Sequence, residues 1–290
     1  MLAMRGVQPA AVGLYTGELP WFIDVHSYDS EKITVMEWLA YHTKKSFARL
    51  RLFAFPFGGG SASVFRNWSS AFPDQIEVCP VQLPGREGRG GEKPFTNMSQ
   101  MLQALVPIVN SYADLPFAFF GHSMGALIAF ELGRHPRLQR KNLVHVFVSS
   151  CRAPHDMPRG LRRHQLSEQE LTSEMRRLGT PEEALNSPEI LEYLMPIMRA
   201  DFQLVDTYEY MAGDLLCCPV SAFAGQTDAE VHEEHLVEWK RYTTSPFRSE
   251  RFAGNHFYIA GDIRPVTNAI QADLVTSLPH MARFGVHSST

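Results

Sequence analysis

The strongest structural signal in the sequence is Gly121-His122-Ser123-Met124-Gly125, a G-x-S-x-G pentapeptide. An apolar run at residues 117–120 precedes it and predicts a buried strand, and the pattern of residues 126–133 predicts a helix. A serine on a tight strand-to-helix turn needs glycine on both sides because the backbone there is crowded. Such a turn lifts the hydroxyl above a parallel sheet, so Ser123 is the predicted nucleophile.

Outward from this turn, predicted strands alternate with predicted helices. The strands are residues 50–55, 76–83, 117–120, 143–149, 219–224 and 247–252. The helices are residues 61–72, opened by a Ser61 cap, 98–112, 126–133, 231–242 and 264–278. Alternation of this kind predicts the α/β class, with a mostly parallel central sheet and helices on both faces. Together with the pentapeptide it is typical of the α/β-hydrolase fold.

The alternation stops between the fourth and fifth strands. Residues 152–212 are mostly helical in pattern, and Ser167 and Glu170 form a capping-box signature within them. We expect this all-helical insertion to be a lid over the site. Residues 1–40 show no sustained period, so we expect a partly disordered N-terminal extension followed by a hydrolase domain at residues 41–290.

Composition excludes several classes of protein. The 290 residues are 44% hydrophobic and 20% charged, with a formal net charge of -4, which disfavours a nucleic-acid-binding surface. The four cysteines form no C-x-x-C pair, so we expect no metal site. Neither a secretory signal nor a run of ~18 apolar residues is visible, which predicts a cytoplasmic protein without a membrane anchor.

A serine nucleophile needs a base and an acid, which this fold supplies downstream in the order acid, then histidine. His256 lies in a glycine-containing loop after the last predicted strand and is the candidate base. Asp228 follows the preceding strand, at the sheet edge where the catalytic groups of such folds gather, and is the preferred acid. Glu230 is a nearby rival, and Asp201 or Asp206 would serve if the acid came from the insertion.

The oxyanion of the tetrahedral intermediate requires two backbone donors. The Met124 N–H, directly after the nucleophile, is the first candidate. The second should come from the glycine turn after the first strand, where small residues let the backbone approach substrate closely. Gly58 is the preferred donor, and Phe57 is the alternative.

Six short motifs follow one another along the chain. They are Phe55-Pro56-Phe57-Gly58-Gly59-Gly60-Ser61-Ala62, Leu83-Pro84-Gly85-Arg86-Glu87, the pentapeptide, Arg199-Ala200-Asp201-Phe202, Gly225-Gln226-Thr227-Asp228 and Gly254-Asn255-His256-Phe257. From Trp38 onward the chain thereby resembles the type II, or editing, thioesterases of polyketide and nonribosomal peptide synthesis, in the thioesterase family of α/β-hydrolases. It is also similar to the medium-chain fatty acyl thioesterases that unload fatty acid synthase. Gly58 stands where many relatives have alanine.

The resemblance implies a serine thioesterase that hydrolyses acyl groups from the phosphopantetheine thiol of an acyl or peptidyl carrier protein. Chains would be edited or released through an acyl-serine intermediate. It implies the triad Ser123, Asp228 and His256, and the donors Gly58 and Met124. It also implies a mobile lid above an acyl chamber. We expect a monomer whose partner is the carrier protein, and no cofactor, since the phosphopantetheine arm belongs to the substrate.

Four residues are assigned to substrate binding: Phe57, Arg86, Asp201 and Phe257. Arg86 has two open roles, an ion pair with Glu87 that shapes the mouth of the site, or a phosphate contact of the kind that Arg89 could also make. Asp201 is expected to be a packing or capping group rather than a catalytic one. A basic cluster, Arg159, Arg162 and Arg163, is either a carrier-protein contact or a solvated face.

Three other functions remain open from the sequence. A carboxylesterase or lipase would use the same triad on oxygen esters, and an acyltransferase would pass the acyl group to an alcohol or amine. A non-catalytic binding protein would have kept only the fold. An intact serine, aspartate and histidine set argues against the last of these.

Overall fold

In the computed structural model, which describes residues 35–139 and 141–277, six strands form one parallel sheet. The strands are β1 (Leu50–Phe55), β2 (Ile76–Pro80), β3 (Phe117–His122), β4 (Leu143–Ser149), β5 (Val220–Gly225) and β6 (Phe247–Phe252). Their order across the sheet is β2-β1-β3-β4-β5-β6, and every neighbouring pair is parallel. The predicted α/β-hydrolase class is confirmed. Most of the predicted N-terminal extension lies outside the described residues.

Helices cover both faces of the sheet. They are α1 (Val35–Trp38), α2 (Trp68–Ala71), α3 (Met98–Ser111), α4 (Met124–Arg134), α5 (Pro136–Gln139), α6 (Glu168–Leu178), α7 (Glu182–Leu185), α8 (Pro188–Asp206), α9 (Glu233–Val237) and α10 (Arg264–Ser277). Side chains alternate across each strand. Phe53 and Phe55 therefore pack with α3 and α4, whereas Leu52 packs with α2 and α10. Both faces are buried, which explains the apolar runs of the strands.

Two predicted helices differ from the structure. Residues 61–72 form a 3₁₀ helix (Ala62–Phe65) and the short α2 instead of one helix. Ser61 does not cap it, because its hydroxyl donates to Glu87 Oε1 at 2.6 Å. Residues 231–242 divide into α9 and a 3₁₀ helix (Glu238–Tyr242).

Helices α6, α7 and α8 lie between β4 and β5, in the segment predicted as an insertion. Ser167 and Glu170 form the expected capping box at the start of α6. The three helices share a small apolar cluster made of Leu171, Met175, Leu185, Met195, Met198 and Phe202. Across residues 35–139 and 141–277, no helix combines the length and apolarity that crossing a membrane requires.

Candidate active site

The turn between β3 and α4 holds Ser123 in a strained conformation, with φ 53° and ψ -116°. The flanking glycines permit it. A Cβ on Gly121 would overlap the carbonyl of Gly125, and a Cβ on Gly125 would overlap the carbonyl of Phe55. The Ser123 N–H donates to the Ser149 carbonyl at 2.7 Å, which ties the turn to the end of β4. The hydroxyl is thereby fixed at the carboxyl edge of the sheet.

His256 and Asp228 meet beside this turn. His256 Nδ1 lies 3.0 Å from Asp228 Oδ2 and 3.2 Å from Oδ1, and both residues are buried. Asp228 Oδ1 also accepts from the Glu230 and Val231 N–H groups at 2.9 and 3.2 Å. Burial, the largest single effect, would raise the pKa of Asp228, but the hydrogen bond to His256, the charge of His256 and the Glu230 N–H together outweigh it and lower that pKa to about 2. At neutral pH the carboxylate is ionised and faces the imidazole.

The three rival carboxylates are engaged elsewhere. Asp201 binds Arg86, and Asp206 accepts from the Arg163 guanidinium at 2.6 Å and 2.9 Å. The Glu230 carboxylate pairs with Arg177. Of the four candidate acids, Asp228 is the one that the structure brings to the His256 ring.

His122 links the nucleophile turn to the histidine loop. Its Nε2 lies 2.8 Å from the His256 carbonyl, and its Nδ1 lies 2.7 Å from Ser149 Oγ. Because a carbonyl only accepts, Nε2 carries the proton and Ser149 donates to Nδ1. Ser149 Oγ in turn accepts from the Tyr258 hydroxyl at 2.7 Å. Complete burial and the neighbouring His256 hold the pKa of His122 at about 3, so the ring is neutral.

Sequence reasoning missed this network. The available signal was the position of His122 inside the pentapeptide, next to the nucleophile. Ser149 and Tyr258 carry no local signal, because they lie 27 and 136 residues away from His122 along the chain and come together with it only at the carboxyl edge of the folded sheet.

The proposed oxyanion donors face a shared cavity. Gly58 and Met124 line it together with Ser123 and His256. The neighbouring Gly59 N–H donates to Asp201 Oδ2 at 2.7 Å, and the Gly60 N–H donates to the Phe57 carbonyl at 2.9 Å. The glycine turn is therefore held by bonds on the residues that flank Gly58.

The cavity has two branches that meet at the nucleophile. Both branches are lined by Gly58, Ser123, Leu178, Phe202 and His256. The first continues past Met124 and Leu127 toward α8, where Arg163 and Asp206 also line it. The second is lined mainly by the apolar side chains Phe57, Met175, Leu194, Met198 and Phe257. Phe57 and Phe257, both assigned to substrate binding, pack edge to face with ring centroids 4.9 Å apart.

Arg86 differs most from expectation. Its side chain is 1% exposed and forms a bidentate ion pair with Asp201, at 2.9 and 2.8 Å, instead of pairing with Glu87. Glu87 accepts from Ser61 and Tyr41. In this arrangement the guanidinium cannot reach a substrate phosphate, because it is enclosed. Asp201 borders the cavity, but its carboxylate is occupied by Arg86 and Gly59.

Two other groups of side chains have the chemical type of a nucleophile or of metal ligands. Cys151 lines the cavity, but burial raises its pKa to about 12, so the thiol stays protonated and is a poor nucleophile. His42, Glu77 and Cys79 come close enough together to suggest a metal site. Glu77, however, is bound by Arg51 at the amino ends of β1 and β2, at the sheet edge opposite Ser123.

The geometry agrees with a sequence match over most of the chain. The family profile described as "Thioesterase domain" matches residues 50–274. The chain belongs to the thioesterase family. It is a thioester hydrolase, and the matched region of this thioesterase includes Asp228, His256 and the nucleophile elbow, which is the turn between β3 and α4 that holds Ser123.

Named relatives point the same way. The thioesterase is 41% identical over 228 residues to the gramicidin S biosynthesis protein GrsT of Aneurinibacillus migulanus, covering 78% of this chain and 89% of the relative. It is 33% identical over 230 residues to the medium-chain S-acyl fatty acid synthase thioesterase of Homo sapiens, covering 74% and 83%. The solved structure of the type II thioesterase BorB from the borrelidin biosynthetic cluster superimposes with a TM-score of 0.76 at 33% identity, covering 82% and 97%.

Proposed function

We propose that this thioesterase hydrolyses acyl groups from the phosphopantetheine thiol of acyl or peptidyl carrier proteins, editing or releasing chains in polyketide, nonribosomal peptide or fatty acid biosynthesis. The observation that carries the proposal is the buried Asp228–His256 pair beside the strained Ser123 turn. The relatives supply the substrate class, since they include a gramicidin S biosynthesis protein and a fatty acid synthase thioesterase.

In the first half-reaction, Ser123 attacks the thioester carbonyl while His256 Nε2 takes the hydroxyl proton. Asp228 accepts from Nδ1, holds the ring in that tautomer and stabilises the imidazolium. The carbonyl oxygen becomes an oxyanion that accepts from the Met124 and Gly58 N–H groups. The C–S bond then breaks, His256 returns its proton to the departing sulfur, and the carbonyl carbon remains bonded to Ser123 Oγ.

In the second half-reaction, water attacks the acyl-serine. His256 takes one proton from the water, the same donors stabilise the second oxyanion, and the C–O bond to Ser123 breaks. The serine recovers its proton from His256, and the free acid leaves. Neither half-reaction requires a metal or redox cofactor.

The two branches of the cavity suit a substrate that extends in two directions from its reacting carbon. The apolar second branch, bordered by Phe57, Met198 and Phe257, offers a surface for an acyl chain. The first branch has polar groups at Arg163 and Asp206, and it offers a path for the more polar phosphopantetheine arm. Helices α6 to α8 would act as the lid over both.

The carrier protein would dock where the first branch of the cavity, the proposed path of the phosphopantetheine arm, reaches the surface. Arg159 and Arg162 are exposed on the segment before α6, whereas Arg163 is committed to Asp206. Among the described residues, Arg159 and Arg162 form no ion pair, so these two cations of the basic cluster are the candidate contact for an acidic carrier. A monomeric, cytoplasmic enzyme completes the proposal.

The test is hydrolysis of acetyl- and medium-chain acyl-carrier protein by the full chain, with p-nitrophenyl acetate assayed in parallel and Ser123→Ala as the control. We expect serine-dependent release with kcat/KM at least tenfold higher on a carrier thioester. Preference for the oxygen ester would contradict the carrier substrate and indicate an esterase. Acyl transfer to an added alcohol, without free acid, would indicate an acyltransferase.

A further inference from the structure

We propose that Asp201, on α8, and Arg86, in the loop after β2, are positioning residues that fix the oxyanion loop, the glycine turn at residues 57–60 after β1. The proposal rests on the function proposed above, because it takes Gly58 to be an oxyanion donor. It assigns a role to two sequence elements that the catalytic chemistry leaves unexplained, Leu-Pro-Gly-Arg-Glu at residues 83–87 and Arg-Ala-Asp-Phe at residues 199–202.

Asp201 holds the oxyanion loop directly. Its Oδ2 accepts from the Gly59 N–H at 2.7 Å, and this amide is the one that follows the proposed donor Gly58. The Gly58 N–H and the Gly59 N–H belong to consecutive peptide units, so their directions depend on each other through two backbone dihedral angles. Because the Asp201 carboxylate holds the Gly59 N–H, it also limits the direction in which the Gly58 N–H can point.

Arg86 fixes Asp201. The guanidinium binds both carboxylate oxygens, at 2.9 and 2.8 Å, and its Nη1 also donates to the Gly60 carbonyl at 3.2 Å. A planar bidentate pair of this kind sets the orientation of the carboxylate as well as its position. Arg86 and Asp201 thus hold the loop at two of its main-chain groups, the Gly59 N–H and the Gly60 carbonyl.

Gln82 connects the residues that follow this loop to the segment that carries Arg86. Its Oε1 accepts from the Ala62 N–H at 3.1 Å, while its Nε2 donates to the Arg86 carbonyl at 2.9 Å. The segment that carries Arg86 is therefore itself joined to the loop that Arg86 positions. Loop, arginine and carboxylate form one hydrogen-bonded unit around Gly58.

Stability alone is a weak explanation for this pair. Both side chains are 1% exposed, and Arg86 Nε has no hydrogen-bond partner among the described residues. Desolvation of two such charges costs about as much as their attraction returns, so apolar replacements of buried pairs are often neutral or stabilising. A geometric requirement on the neighbouring loop accounts for the pair better than its contribution to folding does.

The decisive variant is Asp201→Asn, with Glu77→Gln as the matched control. Glu77 is also 1% exposed and also pairs with a buried arginine, Arg51, but at the opposite edge of the sheet. Each variant removes one buried charge of the same kind. The measurements are kcat and KM on the acyl-carrier substrate, the inhibition constant of an acyl trifluoromethyl ketone, and the thermal midpoint. The ketone forms a tetrahedral adduct with serine whose oxyanion occupies the donor site.

Loss of an entire oxyanion donor costs about 100- to 1,000-fold in kcat, so a loosened donor should cost less, about 10- to 100-fold. For Asp201→Asn we expect kcat to fall by that factor with KM within twofold. Ketone affinity should fall in parallel. Glu77→Gln should lower the thermal midpoint and leave both kcat and ketone affinity within twofold. If Asp201→Asn does not fold, Arg86→Lys, which keeps the charge but not the bidentate geometry, replaces it.

Asp201→Asn with an unchanged kcat and ketone affinity would overturn the positioning role. So would equal losses in the two variants, which would indicate a general effect of destabilisation. Failure of the wild type to hydrolyse carrier thioesters is a different result, because it contradicts the proposed substrate. In that case, the inhibition constants of the ketone for the wild type and Asp201→Asn, measured with p-nitrophenyl acetate as the substrate, would still decide the role of Asp201.

Discussion

His122 Nε2 lies 2.8 Å from the carbonyl oxygen of His256, so the residue before the nucleophile is hydrogen-bonded to the backbone of the catalytic histidine. The bond joins the last residue of β3 to the loop after β6, and β4 and β5 separate these two strands in the sheet. Asp228 fixes the His256 ring, and His122 fixes its main chain. The base is therefore held at two points, one on its ring and one on its main chain.

Replacing His122 with Phe should keep the volume and remove both hydrogen bonds. We expect kcat/KM to fall about 10- to 100-fold, since a misplacement of about 1 Å costs on that order. The acidic limb of the pH–rate profile should keep its midpoint, because the His122 pKa of about 3 places that ring's titration below the assay range. The measurement is kcat/KM between pH 5 and 9.

Tyr258→Phe is the control for that variant. It removes the outermost hydroxyl of the network and leaves both bonds of His122 in place. Its kcat/KM should stay within about threefold of wild type. Equal losses in the two variants would mean that the network as a whole, rather than the His122 contact, sets the position of His256.

Asp228→Asn should lower kcat by about 1,000- to 10,000-fold, because the amide no longer stabilises the imidazolium and favours the wrong tautomer. Glu230→Gln is the matched control two residues away, since its carboxylate pairs with Arg177 and its role near the site is a backbone N–H to Asp228. That variant should stay within about threefold. Steady-state kinetics on both variants shows which carboxylate is the acid of the triad. A larger loss of kcat in Glu230→Gln would reverse the assignment.

Gly125→Ala should prevent the elbow from closing against β1, because the added methyl overlaps the main chain of Phe55, which cannot move aside as a flexible side chain would. We expect a loss of stability of about 3 kcal/mol or more, in the range of other backbone clashes at strained turns. Gly88→Ala meets no atom within 4 Å and should change stability by less than about 0.5 kcal/mol. Urea denaturation compares the two variants. Similar midpoints would mean that the elbow relaxes around the methyl.

The local pattern of apolar residues predicts all six strands of the sheet. The runs at Leu50–Phe55, Leu143–Ser149 and Phe247–Phe252 were predicted at the bounds that the structure shows. β1 and most of β4 are buried, so apolar side chains mark the strand over its whole length. A local pattern fails at Ser61. It predicts a helix N-cap there, but the hydroxyl donates to Glu87, a residue of another loop.

Long-range pairing explains what the sequence could not show. Asp228 and His256 could be placed because the fold dictates which strand ends carry them. Arg86 and Asp201 are 115 residues apart, and no periodicity relates them, so the neighbouring Glu87 was the natural partner to expect. Each element is a recognisable motif in the sequence, but their contact depends on α8 packing against the loop after β1, which no local pattern encodes.

His145 offers a test of how a buried histidine affects folding in acid. It stacks on Phe147 with ring centroids 4.2 Å apart, and its nitrogens meet Ser277 Oγ at 3.0 Å and Ser221 Oγ at 2.9 Å. Burial lowers its pKa to about 4, although Asp273 opposes that shift. In the unfolded chain the pKa is about 6.5.

The unfolded state therefore binds more protons between about pH 6.5 and 4, and stability falls as the pH drops through that window. His145→Phe keeps the stacking and removes this titration. Over about 2.5 pH units at 1.36 kcal/mol per unit, we expect the variant's unfolding free energy to fall by about 3 kcal/mol less than that of the wild type. Urea denaturation at pH 7 and pH 4 measures both differences. His122 remains in both proteins, so a residual acid dependence should persist in the variant, and identical losses would show that His145 is protonated in the folded state.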